Sequence, residues 1–397
     1  MARRTATTPA VATLLDLLAI PGLSGRERAV AERIVERLRA AGCPASAMSF
    51  DTAHTRSPVK GEVGNLIVKL PGTRPGPRRL LMAHMDTVPV CLGAKPVVSG
   101  GFIKSADPKT GLGGDDRAGV AVVLSTALEI LERKLPTPPL TLLFAIQEEI
   151  GLFGARHVKP ADLGRPKLAF NFDGGAADKL TIGATGGYRL DITIEGVPSH
   201  AGVAPEQGVS AIAIAGLAIA SLVDEGWHGL VAKGSKRGTS NIGVVQAGAA
   251  TNVVAESAFL KAEARGHDAA FRGRIVQAIE KAFTAAVKKV RSASGRTGSV
   301  TFSGRLDYEA FRLADDEPCV VAAAEALRGL GLEPRFEVSN GGLDANWMAA
   351  HGIPTVTLGC GQMDIHTVRE RVDIATFETA CRAALVLATA APVAAQK

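Results

Sequence analysis

Apolar residues recur along this chain at two spacings, and the spacing changes from segment to segment. In VAERIVERLRAAG (30–42) they return with the period of a helix that buries one face, and the pattern stops at Gly42. GNLIVKLPG (64–72), RRLLMAHMD (78–86), LTLLFAIQEE (140–149) and KLAFNFDGG (167–175) are short apolar runs bounded by turn residues, and read as strands. DRAGVAVVLSTALEILERK (116–134) reads as a long helix among them. Strands apolar on both faces need helices above and below. The pattern therefore predicts an α/β domain with a mixed, mostly parallel sheet flanked by helices.

After GATGG (183–187) the texture changes. YRLDITIEG (188–196) alternates apolar and polar positions, as a half-exposed strand does. A helix is predicted over 208–225, strands in TSNIGVVQAG (239–248) and NVVAESAFLKAEARG (252–266), a helix over 267–292, and a strand in GSVTFSGRLDYEAF (298–311). The order β-α-β-β-α-β is the ferredoxin-like arrangement. From 313 the first texture resumes, with helices over 315–330, 343–350 and 374–391 and the strand PTVTLGC (354–360). The expected organisation is a catalytic α/β domain in two pieces, 1–186 and 313–397, with an α+β domain, 187–312, inserted.

Composition narrows the class. A chain of 397 residues suits two domains. With 46% hydrophobic but only 4% aromatic residues, the core must be built from Ala, Val, Leu and Ile. The five cysteines are scattered and form no C-x-x-C pair, which points to a reducing compartment. The net charge of +6 is spread out; RPGPRR (74–79) and VKKVR (287–291) are short and carry no aromatic residues for base stacking, so nucleic acid is not an expected partner. The segment MARRTATTPAVATLLDLLAIPG (1–22) has the arginines and apolar run of a signal peptide, but Asp16 interrupts the run and no cleavage site follows. It reads as an amphipathic helix. VSAIAIAGLAIASLV (209–223) is too short to span a bilayer. The expectation is a cytoplasmic protein without a membrane partner.

In open α/β sheets, sites form beyond the carboxyl ends of the strands. Here RRLLMA ends in His84-Met85-Asp86, LTLLFAI in Gln147-Glu148-Glu149, KLAFNF in Asp173, and TVTLGCGQMD runs on to His366. Asp115 stands where a glycine-rich loop meets the long helix. So many carboxylates at one edge would repel one another unless a divalent cation lay among them. Two His and three carboxylates suit zinc or a similar metal in a hydrolytic site. Two divalent ions would balance Asp115, Glu149, Asp173 and a hydroxide. Asp86, two residues past His84, is placed to orient it, and Glu148 is left to move the proton of the attacking water. A phosphate-cradling loop at 111–119 is the competing reading. It lacks the G-K-[ST] ending, and its two aspartates would repel a phosphate.

LLMAHMDTVP, GGDDRAG, IQEEIGLFGA, NFDGG and the late MDIHT, in this order, resemble the motifs of the di-zinc exopeptidases, the family of peptidase T, bacterial glutamate carboxypeptidase and succinyl-diaminopimelate desuccinylase. PSHAGVAPEQGVSA (198–211) resembles that family's lid motif. The resemblance implies that His84 and Asp173 hold one metal, that Glu149 and His366 hold the other, and that Asp115 bridges. It implies Glu148 as general base and Asp86 as the partner of His84. It also implies a cis peptide just after the bridging residue. His200 resembles the lid histidine that stabilises the oxyanion. Asn252 and Arg265 match positions that contact substrate, Arg265 its carboxylate, and Gly341 and Gly342 resemble a late glycine loop near substrate. By the same resemblance the metals are Zn2+, with Co2+ or Mn2+ as alternatives, and the protein is a homodimer through its lid.

The motifs imply amide hydrolysis but do not choose the end of the peptide. QEEIGLFGA, NFDGG and IHTVRE look closest to peptidase T-like members, so the first expectation is an aminopeptidase of the tripeptidase type acting on short peptides. A carboxypeptidase or N-acyl amino acid deacylase is the runner-up, and a non-catalytic metal-binding protein on this fold is the reading from another class.

Overall fold

The structure is a computed structural model and describes residues 7–390. The segments 1–6 and 391–397 of the expected catalytic domain lie outside the described residues, as does the start of the segment compared with a signal peptide. The chain forms two compact units. One runs to Gly183 and takes in Arg312–Ser339 and the chain from Leu343 on; the other is Ala184–Phe311 with Asn340–Gly342. The three residues Asn340–Gly342 join the second unit because they pack on it. His267 Nε2 lies 3.1 Å from Asn340 Oδ1, and a Cβ on Gly342 would stand 2.4 Å from the Tyr308 ring.

In the first unit, a large sheet runs in the order 48–50, 66–70, 140–145, 79–84, 168–172, 355–358, 179–184, 311–312. The four strands Leu140–Ala145, Arg79–His84, Leu168–Phe172 and Thr355–Leu358 pair parallel to one another in turn; the flanking pairs 48–50/66–70, 66–70/140–145 and 355–358/179–184 are antiparallel. The parallel part is thus the centre of a mixed sheet. Arg79–His84 and Leu140–Ala145 are buried at every position, as the unbroken apolar runs require. Each fully buried Leu or Phe there contributes about 1.5–3 kcal/mol of transfer free energy. The register sets His84 opposite Ala145, Met82 opposite Asn171 and Phe172 opposite Leu358, so these strands end at one edge.

A second, small sheet in this unit has no counterpart in the sequence reading. It joins Pro96–Ser99 and Phe102–Ser105 to Arg371–Asp373 and Gln362–Met363, all antiparallel. Strands this short show too little alternation to be seen as strands. The long helix is Gly114–Arg133, but Asp115 and Asp116 have non-helical dihedrals, so regular helix begins at Arg117.

The second unit is an antiparallel sheet in the order 229–233, 236–247, 257–266, 186–195, 299–308, with helices Ala211–Asp224 and Ala269–Lys289. Without Gly229–Lys233 this is the expected ferredoxin-like order. That strand is an added edge, hairpinned onto Lys236–Ala247. In Gly186–Glu195 the alternation resolves as read: Leu190, Ile192 and Ile194 are buried against the helices, while Arg189, Asp191 and Thr193 are exposed. Ser210 and Asp268 cap the two helices by accepting the N–H groups of Ala213 and Phe271, which is why the helices start there.

Candidate metal centre

The edge of the four parallel strands gathers the predicted residues. His84 is the last residue of its strand, Asp173 follows Phe172, and Glu148 and Glu149 lie just past Ala145. His366 arrives from the loop between the two late strands of the small sheet, with φ +61. Ligand atoms of His84, Asp115 and Asp173 lie within 4.8 Å of one another, and so do those of Asp115, Glu149 and His366. Asp115 is the shared member. His84 Nε2 stands 3.2 Å from its Oδ1, and His366 Nε2 stands 3.2 Å from its Oδ2 and 3.0 Å from Glu149 Oε2.

The supporting contacts fix these side chains. His84 Nδ1 lies 3.4 Å from Asp86 Oδ1 and 3.1 Å from the Asp86 carbonyl, which leaves Nε2 facing Asp115. Asp86 also accepts the Ser24 hydroxyl at 2.6 Å and the backbone N–H groups of Glu148 at 3.0 Å and Glu149 at 3.3 Å. One carboxylate therefore orients a ligand on one strand and the loop holding both glutamates on the next.

The charges behave as the crowding demands. Burial, then the Asp115 charge, pushes Asp173 up to about 7. Burial raises Glu148 well above the usual carboxylate range, with Asp173 and Asp344 adding to it and His84 opposing. Burial also raises Glu149, against its hydrogen bond to His366. Hydrogen bonds to Asp115 and Glu149 lift His366 to about 10. Burial opposes the charge on Asp115, yet His366 and His84 hold it below the usual range. Divalent cations would offset this crowding of carboxylates, and the donor set, imidazole nitrogens with carboxylate oxygens, fits zinc-class ions.

The paired aspartates separate into two roles. The Asp115–Asp116 peptide is cis. Asp115 faces the ligand cluster, while Asp116 turns inward and accepts His84 N–H at 3.1 Å, Gly119 N–H at 3.0 Å and Gln362 Nε2 at 2.7 Å. The loop before them presents successive backbone N–H groups, the feature of a phosphate-binding nest. Here those of Leu112, Gly113 and Asp115 are all taken by the Glu370 carboxylate, at 2.9, 2.7 and 3.0 Å. The phosphate reading fails on that contact.

Sequence reading did not single out Glu370, Gln362, Ser24 or Glu27. Glu27 is fully buried and accepts the N–H groups of Gly25 and Gln147, gripping the turn before Glu148. Asp344 was also missed: it is buried, neither carboxylate oxygen has a hydrogen-bond partner among the described residues, and burial pushes it up to about 8. Its signal was no more than an Asp after two glycines.

The remaining candidates lie in the second unit. His200 and Asn252 sit on adjoining loops: His200 bridges Val253, and Ala201 N–H donates to the Asn252 carbonyl at 2.9 Å. His200 Nδ1 accepts Gly202 and Val203 N–H, both at 3.2 Å, so the neutral ring carries its proton on Nε2. Arg265 is engaged within its own strand, its fork donating to both oxygens of Glu263 at 3.1 Å. Gly341 and Gly342 belong to the three residues packed on this unit, Gly342 against Tyr308.

Residues 80–390 match the family described as Peptidase family M20/M25/M40. Carboxypeptidase G2 of Pseudomonas sp. (strain RS-16) is 32% identical over 340 residues, covering 81% of this chain and 76% of that protein. Among solved structures, a tripeptidase from Staphylococcus aureus superposes with TM-score 0.84 at 30% identity, covering 96% of this chain and 97% of its own. The aminopeptidase PepT from Bacillus cereus gives TM-score 0.79 at 29% identity, again covering 96% and 97%. With its ligand pattern at the sheet edge and this match over most of its length, the chain belongs to the M20/M25/M40 peptidases and is a hydrolase of peptide bonds.

Proposed function

We propose that the protein is an exopeptidase for short peptides, most simply an aminopeptidase of the tripeptidase type, working with two divalent cations. The observation that carries the two-cation reading is the sharing of Asp115 between two ligand groups, with His84 and Asp173 on one side and Glu149 and His366 on the other. Bound there, zinc, or cobalt or manganese, would supply Lewis-acid activation of the scissile carbonyl and of water. The chain's own residues do the rest. Glu148, held by Asp86 through its backbone N–H, takes the proton of the attacking water and delivers it to the leaving nitrogen. His200, with Nε2 as donor, stabilises the oxyanion. Asn252, Gly341 and Gly342 contact the peptide, and Arg265 meets its carboxylate at the cost of releasing Glu263.

The tripeptidase choice draws on the two structural relatives with TM-scores of 0.84 and 0.79. A carboxypeptidase or acyl amino acid deacylase is the second reading, favoured by the similarity to carboxypeptidase G2. A homodimer through the second unit also belongs to this proposal; exposed Ile212, Leu230 and Val245 offer apolar surface for it. Among the described residues no helix is long and apolar enough to cross a membrane, and we place the protein in the cytoplasm on its free cysteines. The deciding experiment is a tripeptide panel with each end separately blocked. Loss of cleavage on N-acetylation supports the aminopeptidase; loss only on C-terminal amidation replaces it with the carboxypeptidase.

A further inference from the structure

Glu370 lies four residues beyond His366 and is almost fully buried. It enters the short strand Arg371–Asp373, which pairs with Phe102–Ser105 and so fixes where its side chain starts. Its Oε2 accepts Leu112 and Gly113 N–H at 2.9 and 2.7 Å and the Cys91 thiol at 3.2 Å; its Oε1 accepts Asp115 N–H at 3.0 Å. We infer that Glu370 is a positioning residue for the metal bridge: it locks the 112–115 backbone in the conformation that lets Asp115 serve both ligand groups. This rests on the two-cation reading above.

Three observations carry it. First, the hold acts at Asp115 itself, because the backbone N–H of that residue is one of the three donors. The same loop also reaches the Asp115 side chain, through His366 Nε2 at 3.2 Å. The segment 366–370 therefore grips main chain and carboxylate together. Second, the clamped loop is rich in glycine, which has the most conformational freedom to lose, so it will not hold a bridging carboxylate unaided. The close approach of Cys91 and the 367–370 segment leaves Gly111 no room for a side chain, and a left-handed backbone requires glycine at 113. A Cβ on Gly111 would stand 3.1 Å from Glu370 Oε2 and 2.9 Å from both Cys91 Sγ and the Thr367 carbonyl, and Gly113 has φ +79. Third, a carboxylate beside an acidic cluster is costly unless its lone pairs are filled, and charge-assisted bonds at 2.7–3.0 Å fill them. Gln cannot substitute: whichever oxygen its amide group replaced, an NH2 would face a backbone N–H.

The test compares wild type with Glu370→Gln, which keeps size, and with Cys91→Ala, which removes only the weak thiol donor. Backbone hydrogen exchange of peptides covering 110–118 and 140–146 is measured on metal-free protein, and Zn2+ affinity by titration. Glu370→Gln should speed exchange in 110–118, leave 140–146 unchanged, and weaken Zn2+ binding by about 10–100-fold, the range for groups that orient metal ligands. Cys91→Ala should lose far less. Unchanged exchange in 110–118 overturns the clamp, whatever the metal result. Faster exchange with wild-type Zn2+ affinity reduces Glu370 to a purely structural residue. A wild-type protein that takes up no metal defeats the two-cation reading instead, and the positioning role falls with it, while the exchange result still decides the clamp.

Discussion

Replacing Gly119 by Ala should disable the protein, although Ala is the better helix former. Gly119 lies in the first turns of the long helix, against the end of the strand that leads to Asp173. A Cβ built there stands 1.8 Å from the Phe172 carbonyl oxygen and 2.4 Å from Asp116 Oδ1. An ordinary C···O contact is about 3.3 Å, so the helix start must retreat by roughly 1.5 Å. Neither obstacle can give way cheaply. The Phe172 carbonyl is backbone at the buried end of its strand, and Asp116 is tied to His84, Gly119 and Gln362. Overpacking of this kind costs about 1–3 kcal/mol, and freeing the Asp116 donors about 1–3 kcal/mol more for each one left unsatisfied. The retreat also drags Asp115, and a misplacement near 1 Å can cost about 100-fold in rate. Gly273→Ala is the control. It sits inside the helix Ala269–Lys289, where an added Cβ would meet no other part of the described chain within 4 Å, so it should stabilise by about 1 kcal/mol through helix propensity alone. Denaturant unfolding and peptidase assays of both variants test the pair. A Gly119→Ala protein with wild-type midpoint and kcat would refute the steric argument.

Glu148→Ala should lower kcat by about 100- to 10,000-fold while metal content, measured by elemental analysis, stays at the wild-type level. Retained turnover would remove it as general base. In metal-free protein, stability should fall as pH rises from 6.5 to 9. The carboxyls of Asp173, raised to about 7, and of Glu27 and Asp344, raised to about 8, keep protons in the folded state that the unfolded chain has already released. His366, raised to about 10, has the same sign: its contribution is full below its ordinary pKa near 6.5 and is lost as pH rises through 10. Asp115 and Asp86, which are lowered, act only at acid pH. Guanidinium midpoints of chelator-treated protein that stay flat or rise over this interval would contradict the assignment.

Local pattern was enough to place the strands of the parallel centre and the chemistry at their ends. An apolar run buried on both faces needs no knowledge of its neighbours, and the residue that breaks the run marks the sheet edge; His84, Glu148, Glu149 and Asp173 were all legible in this way. The alternation of Leu190, Ile192 and Ile194 likewise announced a second layer of different construction. The sequence could not show which strand lies beside which, so it could not tell that Leu140–Ala145 neighbours Arg79–His84 or that Leu66–Leu70 pairs antiparallel on its other side. Nor could it show Glu370 closing on backbone 258 residues earlier. The reason is physical. Hydrophobic period is a property of one element, recorded in its own side chains. A backbone N–H is the same on every residue, and a carboxylate that will accept it looks, in sequence, like any surface glutamate. Only the pairing of Arg371–Asp373 with Phe102–Ser105 brings the two together.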